Sequence, residues 1–173
     1  MLFTLEKVRD GLTTGLIYKF KFRATNQIGN SQDSNIVEFA LADVPAAPGT
    51  PQVMLSLTGE KQVAVNWSPI VSSQLPGQYI SGYLLEMMDT SNSQGTFQTV
   101  YDGTTSYPDI TNYWTSYIVS GRSYIFRVKG KYQNGFTSYS QNSLPVWACS
   151  PPSDLPRPHL VSVSSMQITL SWS

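Results

Sequence analysis

The sequence is poor in net charge and in the residues that usually carry chemistry. A single cysteine, Cys149, excludes an internal disulfide and reads ordinarily as a small, half-buried apolar residue. A single histidine, His159, follows ten residues later. No Ser/His/Asp arrangement, metal-ligand cluster, phosphate-cradling glycine loop or dinucleotide fingerprint accompanies it. Catalytic, cofactor and metal sites are therefore not expected, and His159 reads as a solvated linker or strand-edge residue. Eleven Lys plus Arg balance 11 Asp plus Glu, so the formal net charge is zero. That removes the long-range positive field on which phosphate-backbone binders rely, and nucleic acid is not an expected partner. No run approaches the roughly 18 apolar residues of a membrane span. The opening "MLFTLEKVRD" is charged by its sixth residue, unlike a secretory leader.

What is present is strand-like. Forty per cent of the 173 residues are hydrophobic, enough for one large domain or two small ones, each with a core. Alternating stretches of strand length, separated by Gly, Pro, Asn and Ser, run the whole chain, and none has a helical period. The expected class is all-β.

Internal comparison adds a repeat. "GLIYKFKFRATNQIGNSQDS" (15–34) aligns with "GRSYIFRVKGKYQNGFTSYS" (121–140) at an offset of 106: Tyr18 falls on Tyr124, Phe20 on Phe126, Phe22 on Val128 and Gly29 on Gly135. The apolar residue six before each tyrosine also matches, Leu12 with Ile118. A second pair, 44–68 with 150–173, puts Val63, Val65 and Trp67 on Ile168, Leu170 and Trp172 at an offset of 105. The Pro-rich stretches "DVPAAPGTP" and "ACSPPSDLPRP" mark junctions, because proline blocks ladder pairing and stiffens linkers. The expectation is one whole unit over 44–149, the end of a preceding unit over 1–43 and the beginning of a following one over 150–173. Such a chain is a section of a longer repeat protein, or its ends are completed by a partner chain.

Within the repeat, "GRSYIFRVKGKYQNG" interleaves aromatics with bases, and its tail has a passing likeness to the Lys-Gly-aromatic motif of base-stacking sheets. The aligned stretch 106 residues earlier keeps the Tyr and Phe positions but replaces that tail with "RATNQIGN". The conserved pattern is thus a strand with Tyr124, Phe126 and Val128 inward, and the likeness to an RNA-reading strand is lost.

The middle unit resembles the fibronectin type III family. Its Pro-rich lead-in precedes "VAVNWSP" with Trp67 on the second strand. "ISGYLLEM" with Gly82 and Tyr83 looks like the third strand, "FQTVYDG" like the fourth, "SGRSYIFRV" like a tyrosine corner, and "NGFTSYS", from Asn134, like the turn and serine-rich entry to the last strand. The resemblance implies an immunoglobulin-like β-sandwich, repeated in tandem. Strand alternation independently places Tyr83, Leu85 and Met87 on one inner face and Val63, Val65 and Trp67 on the other. The predicted core comprises Trp67, Tyr83, Leu85, Tyr124 and Phe126, with Tyr18, Phe20 and Trp172 as counterparts in the flanking units. Each corner tyrosine is expected to bond back to the chain upstream through its hydroxyl. "TTSYPDITNYWTSYIVSG" is longer than the family's usual fifth strand, and Pro108, Tyr113, Trp114 and Tyr117 point to an insertion or extended loop. Pro145 fits only an edge strand.

Two candidate contact surfaces remain. The corner strands turn bases outward, Lys19, Lys21 and Arg23 in one and Arg127, Lys129 and Lys131 in the other. These either pair with outward acids such as Glu38 and Glu86 or form a basic stripe for a glycan or partner subunit. Tyr113, Trp114 and Tyr117 either cover the core or form an aromatic patch for protein or sugar. "NWS" makes Asn66 a candidate glycosylation acceptor. With no catalytic constellation, the expected function is a non-catalytic spacer, adhesion or filament segment acting through protein–protein contacts. The alternatives are a glycan- or protein-ligand binding module and an accessory segment of a secreted enzyme. Fibronectin-like arrays are mostly extracellular or at cell surfaces, the expected location, with a cytoskeletal or ciliary scaffold as the alternative.

Overall fold

The computed structural model describes residues 4–71, 78–105, 107 and 109–172. Among them twelve strands form four antiparallel sheets. β1 (Ile17–Phe20) and β2 (Val37–Ala40) make a two-stranded hairpin. β3 (Gln52–Val53), β4 (Val63–Asn66) and β7 (Asn112–Thr115) form a three-stranded sheet, in the order β3-β4-β7. A five-stranded sheet has β5 (Ile80–Asp89) and β8 (Ser123–Tyr132) at its centre, flanked by β6 (Gln98–Asp102), β9 (Gly135–Phe136) and β10 (Val146–Trp147). A last hairpin joins β11 (His159–Val163) to β12 (Ile168–Ser171).

The three- and five-stranded sheets enclose the core. Strand alternation sends Val63 and Val65 inward from β4, Tyr83, Leu85 and Met87 from β5, and Tyr124, Phe126 and Val128 from β8. All are buried in one cluster with Trp67, Ile70, Val146 and Ala148. Burying such side chains stabilises by roughly 1.5–3 kcal/mol each. Trp67 meets Tyr83 edge-on at 5.8 Å between ring centroids. The Tyr83 hydroxyl accepts the Ile70 N–H at 3.0 Å, which fixes the chain leaving β4.

Both corner tyrosines use their hydroxyls alike. The Val119 N–H donates to Tyr124 Oη at 2.7 Å, and the Thr13 N–H donates to Tyr18 Oη at 2.6 Å, each five residues upstream. The bond ties the crossing chain to the corner strand.

The structure changes several expectations. The stretch expected as an insertion contains β7, whose register on β4 pairs Val65 with Tyr113 and Ala64 with Trp114; Pro108 lies outside the described residues. β7 forms because Tyr113 and Thr115 can turn inward while Asn112 and Trp114 face out, the alternation of an edge strand. Cys149 is exposed, because it lies just past the end of β10. Trp172 is 72% exposed, since no second sheet lies over the β11–β12 hairpin among the described residues. Tyr18 and Phe20, on the β1–β2 hairpin, which likewise has no second sheet over it among the described residues, are only partly covered. Pro145 is exposed and immediately precedes the edge strand β10, where its missing N–H costs no ladder bond.

Gly82 sits at a register shift between β5 and β8, at φ 151°. A Cβ there would lie 1.9 Å from the Gly103 carbonyl oxygen, whereas a Cβ at Gly59 meets nothing within 4 Å. Gly82→Ala is expected to lower unfolding free energy by about 3 kcal/mol or more in urea titration, and Gly59→Ala by under about 1 kcal/mol. Tyr124→Phe removes one hydroxyl partner of a backbone N–H and should cost about 1 kcal/mol in the same measurement. An unchanged midpoint would remove the corner bond from the account of stability.

Candidate interaction surface

The outward face of β8 is organised by the segment that follows it. After β9, residues 137–143 run beside β8 with a hydroxyl at every third position, Thr137, Ser140 and Ser143. Their oxygens accept the N–H groups of Gly130, Val128 and Phe126 at 3.1, 3.0 and 2.9 Å. Their own amides donate to the carbonyls of those same three residues at 2.9, 2.8 and 2.8 Å. Each hydroxyl proton goes to the next residue's carbonyl, of Ser138, Gln141 and Leu144, at 2.8–2.9 Å. A hydroxyl can accept and donate at once, so it does here what a backbone carbonyl does in a regular ladder. The spacing of three is that of a polyproline-like strand and not of a pleated one.

That register carries Tyr139 over the bases of β8. The Arg127 guanidinium lies between the rings of Phe97 at 3.8 Å and Tyr139 at 3.9 Å. Its Nε and Nη2 donate to Glu86 Oε2 at 2.8 and 2.7 Å, and the Tyr139 hydroxyl donates to Glu86 Oε1 at 2.5 Å. The Lys129 ammonium is 4.5 Å from both the Tyr139 and Phe136 rings, and Lys131 is 5.8 Å from Phe136. The row therefore reads Phe97, Arg127, Tyr139, Lys129, Phe136, Lys131, each cation facing at least one ring. Such contacts contribute roughly 0.5–2 kcal/mol depending on desolvation.

The first hairpin repeats this device with one exchange. Ser31 and Ser34 accept the N–H groups of Ala24 and Phe22, both at 3.0 Å, and all four residues lie 106 positions before their counterparts. Asp33 stands where the middle unit has Tyr139. Its carboxylate takes the Lys21 ammonium at 2.6 Å and Arg23 Nε at 2.8 Å, the counterparts of Arg127 and Lys129. Lys19 pairs with Glu38 at 2.8 Å. Arg23, and then Lys21, hold Asp33 below the ordinary carboxylate range.

The aromatic candidates do not converge. Tyr113 turns inward against Tyr101 at 4.9 Å between centroids, Trp114 faces outward from β7 at 48% exposure, and Tyr117 is 75% exposed beyond the strand's end. Tyr117 borders a polar cleft of about 290 Å³ with Gln94, Gln98, Asp89 and Arg122, the last two ion-paired at 2.8 Å. The Asn66 side chain is exposed at the end of β4. Among the described residues no group of three or more His, Cys, Asp or Glu could hold a metal ion, and no helix is long and apolar enough to cross a membrane. Sequence reasoning missed Phe97, Phe136 and Tyr139. The signal that could have found Tyr139 is the hydroxyl spacing Thr137-x-x-Ser140-x-x-Ser143.

A solved fourth FNIII domain of a human protein superimposes with a TM-score of 0.51 at 25% identity, over 70% of this chain and 96% of that domain. This is the fibronectin type III fold. Titin domains A168–A170 share it at a TM-score of 0.53 and 24% identity, over 74% of this chain and 39% of theirs. Fibronectin type-III domain-containing protein 3A of Homo sapiens is 26% identical over 172 residues, 98% of this chain, and human myomesin-2 is 29% identical over 142 residues, 79% of it. The chain spans about 13% and 9% of the length of these two relatives. No family model matches it. In fibronectin type III terms β3, β4 and β7 form one sheet of the sandwich, and the cation row lies on the outer face of the other.

In solution, Asp33 should titrate with a midpoint below its ordinary 3.8, read from its carboxyl carbon by NMR. Because its folded value is depressed, the stability it contributes is complete above the unfolded value and is lost as pH falls through the folded one. A midpoint at or above 3.8 would show that the pairs with Lys21 and Arg23 do not persist.

Proposed function

We propose that this chain is a section of a tandem fibronectin type III array that acts as a non-catalytic structural module through protein–protein contacts. On this reading residues 1–43 close one unit, 44–149 form a whole one and 150–173 open another. The observation that carries the reading is the recurrence, 106 residues apart, of a tyrosine corner and a hydroxyl-paired last strand in β1–β2 and in β8–β10. A catalytic site would need convergent titratable groups, whereas in the cation row Arg127, Glu86 and Tyr139 are bonded to one another and Lys129 and Lys131 face rings.

A cytoskeletal scaffold is favoured over an extracellular one by the likeness to myomesin-2 and to titin domains. Glycan binding by the basic row is the weaker reading. Arg127 is committed to Glu86 and two rings, and Lys21 and Arg23 to Asp33, so an acidic sugar would have to displace contacts already made.

A spacer unit under tension should unfold as one body. Stretched between its ends by single-molecule force spectroscopy, the chain is expected to give one dominant rupture that releases roughly 350 Å of contour, at about 3.3–3.6 Å per residue over 44–149. Gradual lengthening without a discrete event would remove both the boundaries and the structural role.

A further inference from the structure

The side chain of Asn134 joins the β1–β2 hairpin to the sandwich. Asn134, in the two-residue turn between β8 and β9, donates from Nδ2 to the Ala40 carbonyl at 2.7 Å, and its Oδ1 accepts the Ala40 N–H at 2.8 Å. The partners are 94 residues apart, and Ala40 is 6% exposed. In the register of β1 and β2, Ala40 stands opposite Ile17 at the last paired position, and both its backbone groups are met by Asn134. A carboxamide has one donor and one acceptor arm, so it can close on an N–H and C=O of the same residue as a neighbouring strand would. The chain between is held too. Gln78 Nε2 donates to the Asp43 carbonyl at 3.3 Å, the Gly49 N–H donates to the Ser68 carbonyl at 3.1 Å, and Pro45, Pro48 and Pro51 are buried.

We propose that the β8–β9 turn is a docking surface for the last strand of the preceding unit, and that Asn134 locks the joint by reading the backbone of Ala40. The kind of partner it takes is a free strand edge with one outward N–H and C=O pair, of any sequence small enough to approach. The same position in the first hairpin, 106 residues earlier, is Ile28, which is 96% exposed and has no carboxamide. The lock is therefore a property of this joint and not a fixed feature of the repeat. Its consequence is mechanical: the first Pro-rich segment sets a fixed angle between neighbours, where proline stiffness alone would leave a hinge at each end.

This inference rests on the tandem reading, and the test separates the two. Amide hydrogen exchange and residual dipolar couplings are measured by NMR on the whole chain, native and with Asn134→Ala or Asn134→Asp. The expected result for Asn134→Ala is that the Ala40 amide exchanges about tenfold faster, the size expected for losing the bonds that hold it. Alignment of the hairpin should diverge from that of the sandwich, while β5 and β8 amides keep their protection. Asn134→Asp, which retains the acceptor but sets a carboxylate against the Ala40 carbonyl, should also free the hairpin. Unchanged Ala40 exchange and unchanged alignment in both variants would overturn the lock. Loss of protection in β2 and β8 together would overturn the tandem reading instead, because hairpin and sandwich would then be one cooperative body.

Discussion

The pairing of β5 with β8 is the constraint on which the rest depends. Each strand is ten residues long, and nine register pairs join them. One face of this ribbon supplies Tyr83, Leu85, Met87, Tyr124, Phe126 and Val128 to the core, and the other supplies Glu86, Arg127, Lys129 and Lys131 to the surface. A slip of one residue would exchange the faces, burying the cations and exposing the aromatics. The Glu86–Arg127 pair, opposite one another in register, opposes that slip from outside as the apolar core does from inside.

The last strand of the sandwich is an answer to a packing conflict. A regular strand beside β8 would alternate its side chains in and out, placing every second one against the core edge. The hydroxyl spacing of three satisfies the β8 amides without that alternation. It leaves Tyr139 free to lie over the cations while Thr137, Ser140 and Ser143 stay buried. Backbone satisfaction and surface electrostatics are thus set by the same short segment.

The inner faces were legible in the sequence because period-two alternation at Val63, Val65 and Trp67 and at Tyr83, Leu85 and Met87 has one geometric meaning, and the corner tyrosines because they recur with a matched apolar residue upstream. β7 was not legible. "TNYWTSY" alternates weakly, and its length beyond the family pattern outweighed that signal. Trp172 shows the reverse limit: its pattern marks a core side chain, but burial needs a second sheet over it. The cation row was half legible. Alternation turned Arg127, Lys129 and Lys131 outward, yet Phe97, Phe136 and Tyr139 come from three other segments, and only tertiary pairing brings them over the bases. Asn134 was read as part of a turn, and nothing local in "YQNGF" points to Ala40, 94 residues away.

The exchange of Tyr139 for Asp33 between the two copies has a physical meaning. Both hold two cations spaced two residues apart on the corner strand, one through a ring face and one through a carboxylate. A ring holds them by quadrupole and apolar contact, with little dependence on salt or acid. A carboxylate holds them by charge, which salt screens and protons remove. The sandwich adds Glu86 from β5, which pairs with Arg127, so the stacking position need not carry charge for that cation. The Tyr139 ring there adds a face to Arg127, already paired with Glu86, and to Lys129. In the first hairpin Asp33 supplies both the position and the charge, since two bases without an acid between them would repel across about 7 Å of strand. The two copies therefore solve one electrostatic problem with different chemistry, and the strand geometry, not the residue, is what they share.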